Sequence, residues 1–278
     1  MDSSRLSLQS NLKKHNIAPN KKLGQNFLSD KNLLNKIISF ANITTEDTII
    51  EVGPGPGKMT EHILEKKPKY YFAIEKDERL VSFLKEQFPT QQEKFIYGDA
   101  LKHDFSKLGS MPRKVIANLP YNVATKLLLG WLNQLQDFSS LTLMFQKEVA
   151  ERLVAQPKTK DYGRLAVVTQ YVTHVKKCMT ISPHMFFPPP QVDSAVVHIA
   201  PKTKRYYSEK ISFDEFQETV KLAFQFRRKM LKANFKKKVS DIEAFFRQAE
   251  INPTLRAEDL CIEDFCHLTY AYQQYRCC

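Results

Sequence analysis

Asn118-Leu119-Pro120-Tyr121 closes a short apolar run, Val115-Ile116-Ala117, with an amide, a proline and a ring. Those residue types suit chemistry on an amino group attached to a flat ring. Such a nitrogen is a poor nucleophile, because its lone pair is delocalised into the ring. Two acceptors aimed at its N–H hydrogens favour a more tetrahedral, more reactive nitrogen. The Asn118 side-chain oxygen and the Leu119 backbone carbonyl are candidate acceptors. Pro120 would fix the turn so that the carbonyl points into a pocket. Tyr121 would stack on the base. Taken alone, the tetrapeptide is also an ordinary turn between strand and helix, so other residues must discriminate.

Glu51-Val52-Gly53-Pro54-Gly55-Pro56-Gly57 supplies a second signal. Gly53 and Gly55 would let a ligand approach the backbone where a Cβ would collide. A lone glycine turn is weak. Two acids strengthen it. Glu75 ends a β-like run about twenty residues on, where a carboxylate can accept both hydroxyls of a ribose. Asp99, in Gly98-Asp99-Ala100, follows a third such run and could take an adenine amino group. Glycine turn, Glu75, Asp99 and Asn118 therefore form an ordered series along one sheet edge, which points to a nucleoside-containing cofactor. The spacing is G-x-G-x-G, with Lys58 where a dinucleotide site needs a small residue. S-adenosylmethionine, which has no pyrophosphate to seat, fits better than NAD. Methyl transfer to the amine would then be a direct displacement, driven by positioning and electrostatics, with no metal and no strong base.

A duplex hides the amino group of adenine, so the base must be single-stranded or flipped out, at a few kcal/mol. Stacking can offset that by roughly 1–3 kcal/mol per base. A second ring is expected from Phe186-Phe187, ahead of Pro188–Pro190, with the other ring of the pair in the core.

The elements that must hold these residues follow from periodicity. Strands are predicted at Thr48–Val52, Tyr70–Glu75, Lys94–Tyr97, Lys114–Ala117, Ser140–Phe145, Leu165–Val175 and Ser194–Ile199. Helices are predicted at Gly57–Lys66, Asp77–Gln87, Val123–Leu132 and Lys147–Val154. Alternating strands and helices imply a parallel α/β sheet with ligands at the carboxyl ends of its strands. After Pro201 the pattern turns helical: Phe213–Lys238, Asp241–Glu250 and Ala257–Gln273. The expected organisation is a Rossmann-like α/β catalytic domain over 1–204, helices on both faces, and a small all-helical domain over 205–278.

The 278 residues carry 42 Lys and Arg against 30 Asp and Glu, a formal charge of +12. That excess favours a polyanion, most simply nucleic acid. No apolar run is long enough to cross a membrane. The N-terminal M-D-S-S-R-L-S-L-Q-S lacks the pattern of a secretory signal. The five cysteines form no C-x-x-C pair and the seven histidines are scattered, so reduced thiols, no zinc site and a cytoplasmic protein are expected. Cys277-Cys278 reads as an inert tail.

The run from Arg227 to Lys238 contains no acid. As one helix it would place Leu222, Phe226, Met230 and Ala233 on an apolar face, and Lys221, Arg228, Lys232 and Lys236 on another. With no acidic partners the row repels itself, which favours phosphate contact over a solvated face. Arg227, Arg228, Lys229, Lys232 and Lys236 are the candidate RNA contacts. They would orient the RNA without reading bases.

With these motifs in this order, the chain resembles the KsgA/RsmA family of ribosomal RNA adenine N6,N6-dimethyltransferases. The resemblance runs from about Leu12 through the last helices. Lys22–Leu28 (K-L-G-Q-N-F-L) is similar to the family's N-terminal motif, which implies Asn26 and Leu28 at the cofactor. The glycine turn, Glu75, Asp99-Ala100 and N-L-P-Y are similar to its cofactor and catalytic motifs. F-F-P-P-P-Q-V-D-S-A is similar to its Phe-Pro segment and implies Phe186 as the stacking ring. The resemblance implies S-adenosylmethionine, two adjacent adenines near the 3′ end of small-subunit (16S) rRNA, four methyl transfers per RNA, and an assembling ribosomal subunit as substrate. A monomer is expected. The alternatives are a macrolide-resistance-type methyltransferase of large-subunit rRNA, a DNA adenine methyltransferase, and a ribosome-assembly or nucleic-acid-binding factor on the same fold.

Overall fold

A computed structural model describes residues 10–207 and 209–276. The first nine residues and the Cys277-Cys278 pair lie outside the described residues, and with them the expectations of no secretory signal and of an inert tail.

The strands are β1 (Phe27–Leu28), β2 (Thr48–Val52), β3 (Tyr70–Glu75), β4 (Phe95–Tyr97), β5 (Arg113–Asn118), β6 (Ser140–Gln146), β7 (Thr173–Ile181), β8 (Phe186–Phe187) and β9 (Ser194–Pro201). The helices are α1 (Lys31–Ser39), α2 (Lys58–Leu64), α3 (Glu78–Gln87), α4 (Tyr121–Leu132), α5 (Lys147–Val154), α6 (Arg164–Val172), α7 (Phe213–Ala223), α8 (Leu231–Phe235), α9 (Ile242–Ala249) and α10 (Ile262–Tyr275).

Seven strands form one sheet in the order β4-β3-β2-β5-β6-β9-β7. β2 is buried along its whole length. It is an interior strand of a covered sheet, and it buries the polar Thr48 and Glu51 along with Ile49, Ile50 and Val52. It pairs in parallel with β3 and β5, and β4 and β6 extend the parallel ladder outward. β9 departs from the expected parallel arrangement. It enters from the Pro188–Pro190 loop without a crossover helix, and runs antiparallel to β6 from Leu141↔Ile199 to Gln146↔Ser194. A second, two-stranded sheet pairs β1 with β8, Phe27 opposite Phe187 and Leu28 opposite Phe186.

The chain divides into two compact units. One comprises the described residues up to Ala150 and Lys176–Pro201; the other comprises Glu151–Val175 and Lys202 onward. The expected single cut at 204/205 is thus replaced by several crossings, because residues 151–175 pack with the helical unit.

Within that second unit, two sequence expectations fail. Leu165–Val175 was expected as a strand from its β-branched content. Instead Arg164–Val172 is α6, buried at Ala166, Val167, Val168, Thr169, Tyr171 and Val172. A helix covered nearly all round has no amphipathic period to betray it, and packing overrides its weak propensity. The Tyr171 ring lies on Phe216 of α7 at 3.9 Å between centroids. The helix expected over Phe213–Lys238 also breaks, after Ala223, and resumes only at Leu231. The buried Asn234 amide spans the break: its Nδ2 donates to Ala223 O at 2.6 Å and its Oδ1 accepts from Phe226 N at 3.2 Å. Consequently Phe226 and Met230 do not form an apolar face toward the core. They are 54% and 53% exposed, while Leu231, Asn234 and Phe235 are buried.

Candidate active site

The first unit gathers its chemistry at the carboxyl ends of β4, β3, β2 and β5, which lie side by side. Glu75 is the last residue of β3, Gly53 follows β2, Asp99 follows β4 by two residues, and Asn118 ends β5. Parallel pairing with matched register, Val52 opposite Ile74 and Ala117, brings these ends level. One cavity is lined by Gly53, Gly55, Glu75, Asp99, Ala100 and Asn118, and by Leu119, Pro120 and Tyr121. The predicted cofactor acids and the predicted catalytic tetrapeptide therefore share a single pocket.

Gly55 sits at φ +58°, where a side chain is strained, and a Cβ there would fall 3.0 Å from two ring carbons of Phe27. Its N–H donates to Glu75 Oε2 at 3.2 Å, while Lys76 N and Asp77 N donate to Oε1. Three backbone donors hold the carboxylate in one orientation, yet burial pushes its pKa up. Asp99 behaves oppositely. Lys76 Nζ donates to its Oδ2 at 2.8 Å and Leu101 N to its Oδ1 at 3.0 Å, and the Lys76 bond foremost holds its pKa below the usual value.

Asn118 Nδ2 donates to the Asn26 carbonyl at 2.9 Å. That bond leaves the amide oxygen as the end available to a substrate N–H. Pro120 precedes the first turn of α4, and Ala124 N donates to its carbonyl at 3.0 Å. Tyr121 OH is hydrogen-bonded to Ser194 Oγ at 2.5 Å, and burial raises its pKa. The ring is thereby pinned at the pocket while it stays partly exposed.

The N-terminal motif crosses this pocket. Gln25 Nε2 donates to Asp77 Oδ2 at 2.9 Å, and Gln25 Oε1 accepts from Asn20 N. Asp77, held below its ordinary pKa chiefly by Arg79, also caps α3. Asn26 lines this cavity; Leu28 does not. The neighbour that does is Phe27, and Leu28 packs into the core at 4% exposure. Successive residues of a strand face opposite ways, so the Leu28 side chain turns from this cavity to the core, beside a smaller cavity that it lines with Gly53, Gly55 and Asn118. The same alternation bears on Phe186. It lies opposite Leu28, is 1% exposed and belongs to the core cluster, whereas Phe187 is half-buried. Lys76 and Gln25 escaped notice in the sequence. Their adjacency to Glu75 and to the glycine of K-L-G-Q was the only signal.

Behind the glycine turn lies a buried group that sequence reading treated only as part of the motif. Glu51 Oε2 accepts from Thr60 Oγ1 at 2.7 Å and from Tyr71 OH at 2.6 Å. Burial drives its pKa to about 7 despite both bonds.

In the helical unit the candidate RNA contacts separate. Arg228, Lys229, Lys232 and Lys236 are exposed. Lys232 lies 3.9 Å from Glu243. Arg227 is different. Its Nε donates to Glu258 Oε2 at 3.1 Å, and its Nη2 donates to the carbonyls of Lys160 and Tyr162. These bonds tie Nε and Nη2 to the helical unit, while the side chain as a whole stays about half exposed.

This sheet order, with a glycine turn and strand-end acids around one pocket, defines a Rossmann-like methyltransferase. A 23S rRNA methyltransferase, ErmE, shares the fold at TM-score 0.66 and 21% identity, over 90% of this chain and all of that one. Residues 16–274 match the family described as Ribosomal RNA adenine dimethylase, and the chain belongs to that family. It is 45% identical over 262 residues to "Ribosomal RNA small subunit methyltransferase A" of Paracoccus denitrificans, covering 92% of both chains. The protein of that name from Rhodospirillum rubrum is 43% identical over 260 residues, 92% of this chain and 89% of the relative. A dimethyladenosine transferase from Plasmodium falciparum superposes at TM-score 0.73 with 27% identity, covering 87% of this chain and 95% of that one. Family and fold imply an S-adenosylmethionine-dependent enzyme acting on rRNA. Among the described residues no helix is long and apolar enough to cross a membrane.

Proposed function

We propose that this enzyme dimethylates N6 of two adjacent adenines near the 3′ end of small-subunit rRNA, in an assembling subunit in the cytoplasm. The observation that carries this reading is the meeting of Glu75, Asp99 and the Asn118–Tyr121 tetrapeptide on one pocket. The names of the small-subunit relatives favour this substrate over large-subunit rRNA.

When bound, S-adenosylmethionine supplies an electrophilic methyl group on a sulfonium. Glu75 would hold its ribose hydroxyls and Asp99 its adenine amino group. Gly53 and Gly55 would leave room for the methionine part, and Asn26 would close over it. The donor set fits: two carboxylates open on the cavity, beside a turn in which a Cβ at Gly55 would strike Phe27.

On the substrate side, Asn118 Oδ1 and the Leu119 carbonyl accept the two N–H hydrogens of the target amine. Asn118 is preset for this by its bond to Asn26, which aims the oxygen rather than the NH2 at the pocket. Tyr121, pinned by Ser194, stacks on the purine and offsets part of the unstacking cost. Phe186 can cover the other face only when the two-residue β1–β8 ladder opens. Arg228, Lys229, Lys232 and Lys236 contact phosphate. The enzyme works as a monomer.

Labelled S-adenosylmethionine is offered in parallel to unmethylated small subunits, large subunits and plasmid DNA, and the digested nucleosides are identified by mass. Dimethyladenosine from small subunits alone is the expected result. Label in large subunits or DNA instead would refute the substrate assignment.

A further inference from the structure

The loop 224–230 is held from both sides. Asn234 bridges Ala223 O and Phe226 N from within the core, at 4% exposure. Lys229 N donates to Phe226 O at 2.8 Å. Beyond the loop, Leu231 N and Lys232 N donate to Leu255 O and Pro253 O. Arg227 points back to Glu258 and to the carbonyls of Lys160 and Tyr162. What this scaffold displays is Phe226, Arg228, Lys229 and Met230, all exposed.

An isolated exposed apolar residue requires no explanation. Here an exposed ring and an exposed thioether bracket two cations on a backbone fixed at every turn. Among the described residues no ring contact involves Phe226. A helix continuing through this stretch would have buried Phe226 or left the cations in an ordinary row. The break does neither, and it commits a buried amide and the Nε and Nη2 of Arg227 to holding the loop's shape. A flat ring beside two cations suits one kind of partner: an unpaired base with its flanking phosphates.

We propose that Phe226 is a base-stacking contact of the helical unit, seated on an unpaired nucleotide of the RNA while Arg228 and Lys229 hold the adjoining phosphates. Met230 packs against the sugar or the base edge. Arg227 is the positioning residue that fixes the loop. The inference rests on the small-subunit rRNA reading above and adds to it a contact that is not electrostatic.

Salt titrations separate the two kinds of contact. Binding of the full-length protein to unmethylated small subunits is measured from low to moderate salt, for wild type, Phe226→Ala, Phe226→Leu and Arg228→Ala. Phe226→Ala should weaken binding about tenfold at every salt concentration, the loss of one stacked base, with the log–log salt slope unchanged. Phe226→Leu should recover little of that loss. Arg228→Ala should flatten the slope by about one phosphate's worth. The thermal midpoint of Phe226→Ala should match wild type, because the ring is exposed. Unchanged affinity in Phe226→Ala, with Arg228→Ala weakened, would overturn the inference and leave the rRNA reading standing. Full recovery by Phe226→Leu would also overturn it, by replacing stacking with a plain apolar contact such as a ribosomal protein surface. A wild-type protein with no preference for small subunits would overturn the rRNA reading, and this inference with it.

Discussion

Replacing Glu51 with Gln tests the buried cluster behind the glycine turn. Glu51 titrates near 7 in the fold against 4.5 ordinarily, mainly because burial penalises its charged form. The folded protein therefore binds this proton more tightly than the unfolded chain. Stability falls as pH rises from about 4.5 through 7 and is flat beyond. At roughly 1.4 kcal/mol per pH unit, the cost above pH 7 is about 3 kcal/mol. A Gln amide oxygen can accept from Thr60 and Tyr71 as Oε2 does, and it never ionises. Urea unfolding of both proteins from pH 5 to 9 should show their stabilities diverging by up to about 3 kcal/mol in favour of Glu51→Gln, with most of the change before pH 8. Any pH-independent offset from the substitution cancels on subtracting the profiles. Parallel profiles would refute the reasoning, since they would mean that water or a cation reaches the carboxylate.

Other consequences concern the pocket. Gly55→Ala should lower cofactor affinity at least tenfold, read by calorimetry. The new Cβ strains a backbone at φ +58° by about 1–2 kcal/mol and pushes the Phe27 ring into the cavity. Gln25→Ala should speed cofactor release several-fold in stopped flow while leaving the thermal midpoint nearly unchanged. It severs the N-terminal segment from Asp77 but spares the Asp77–Arg79 pair. An unchanged release rate would show that this segment does not hold the cofactor.

The central sheet was legible because β2, β3 and β4 are short, largely apolar runs followed by glycine or ended by an acid, β5 ends in the Asn118 amide, and parallel pairing makes adjacent strand ends neighbours. Glu75, Asp99 and Asn118 could thus be placed on one edge without any long-range information. What failed was either non-local or covered on every side. The β1–β8 pairing joins residues far apart in the chain, so nothing near Leu28 or Phe186 shows that they face the core. Helix α6 is β-branched and buried nearly all round, so composition argued for a strand. The break at 224–230 contains neither Gly nor Pro; the Asn234 side chain that shapes it lies eight residues beyond Phe226. Arg227 reads like its neighbours in the basic run, and only the fold supplies Glu258 and the two carbonyls that claim it.

In the proposed mechanism Asn118 acts on the amine rather than merely holding Asn26. Single-turnover methyl transfer to unmethylated small subunits separates these roles when wild type and Asn118→Ala are compared, with cofactor and RNA binding measured on the same preparations. Loss of one acceptor aimed at the reacting nitrogen predicts a fall in the methylation rate of about 10²–10³, by analogy with removing one preorganised group from an active site. RNA affinity should stay near wild type. A methylation rate within a few-fold of wild type would contradict the account and leave Asn118 as a structural tie to the N-terminal segment.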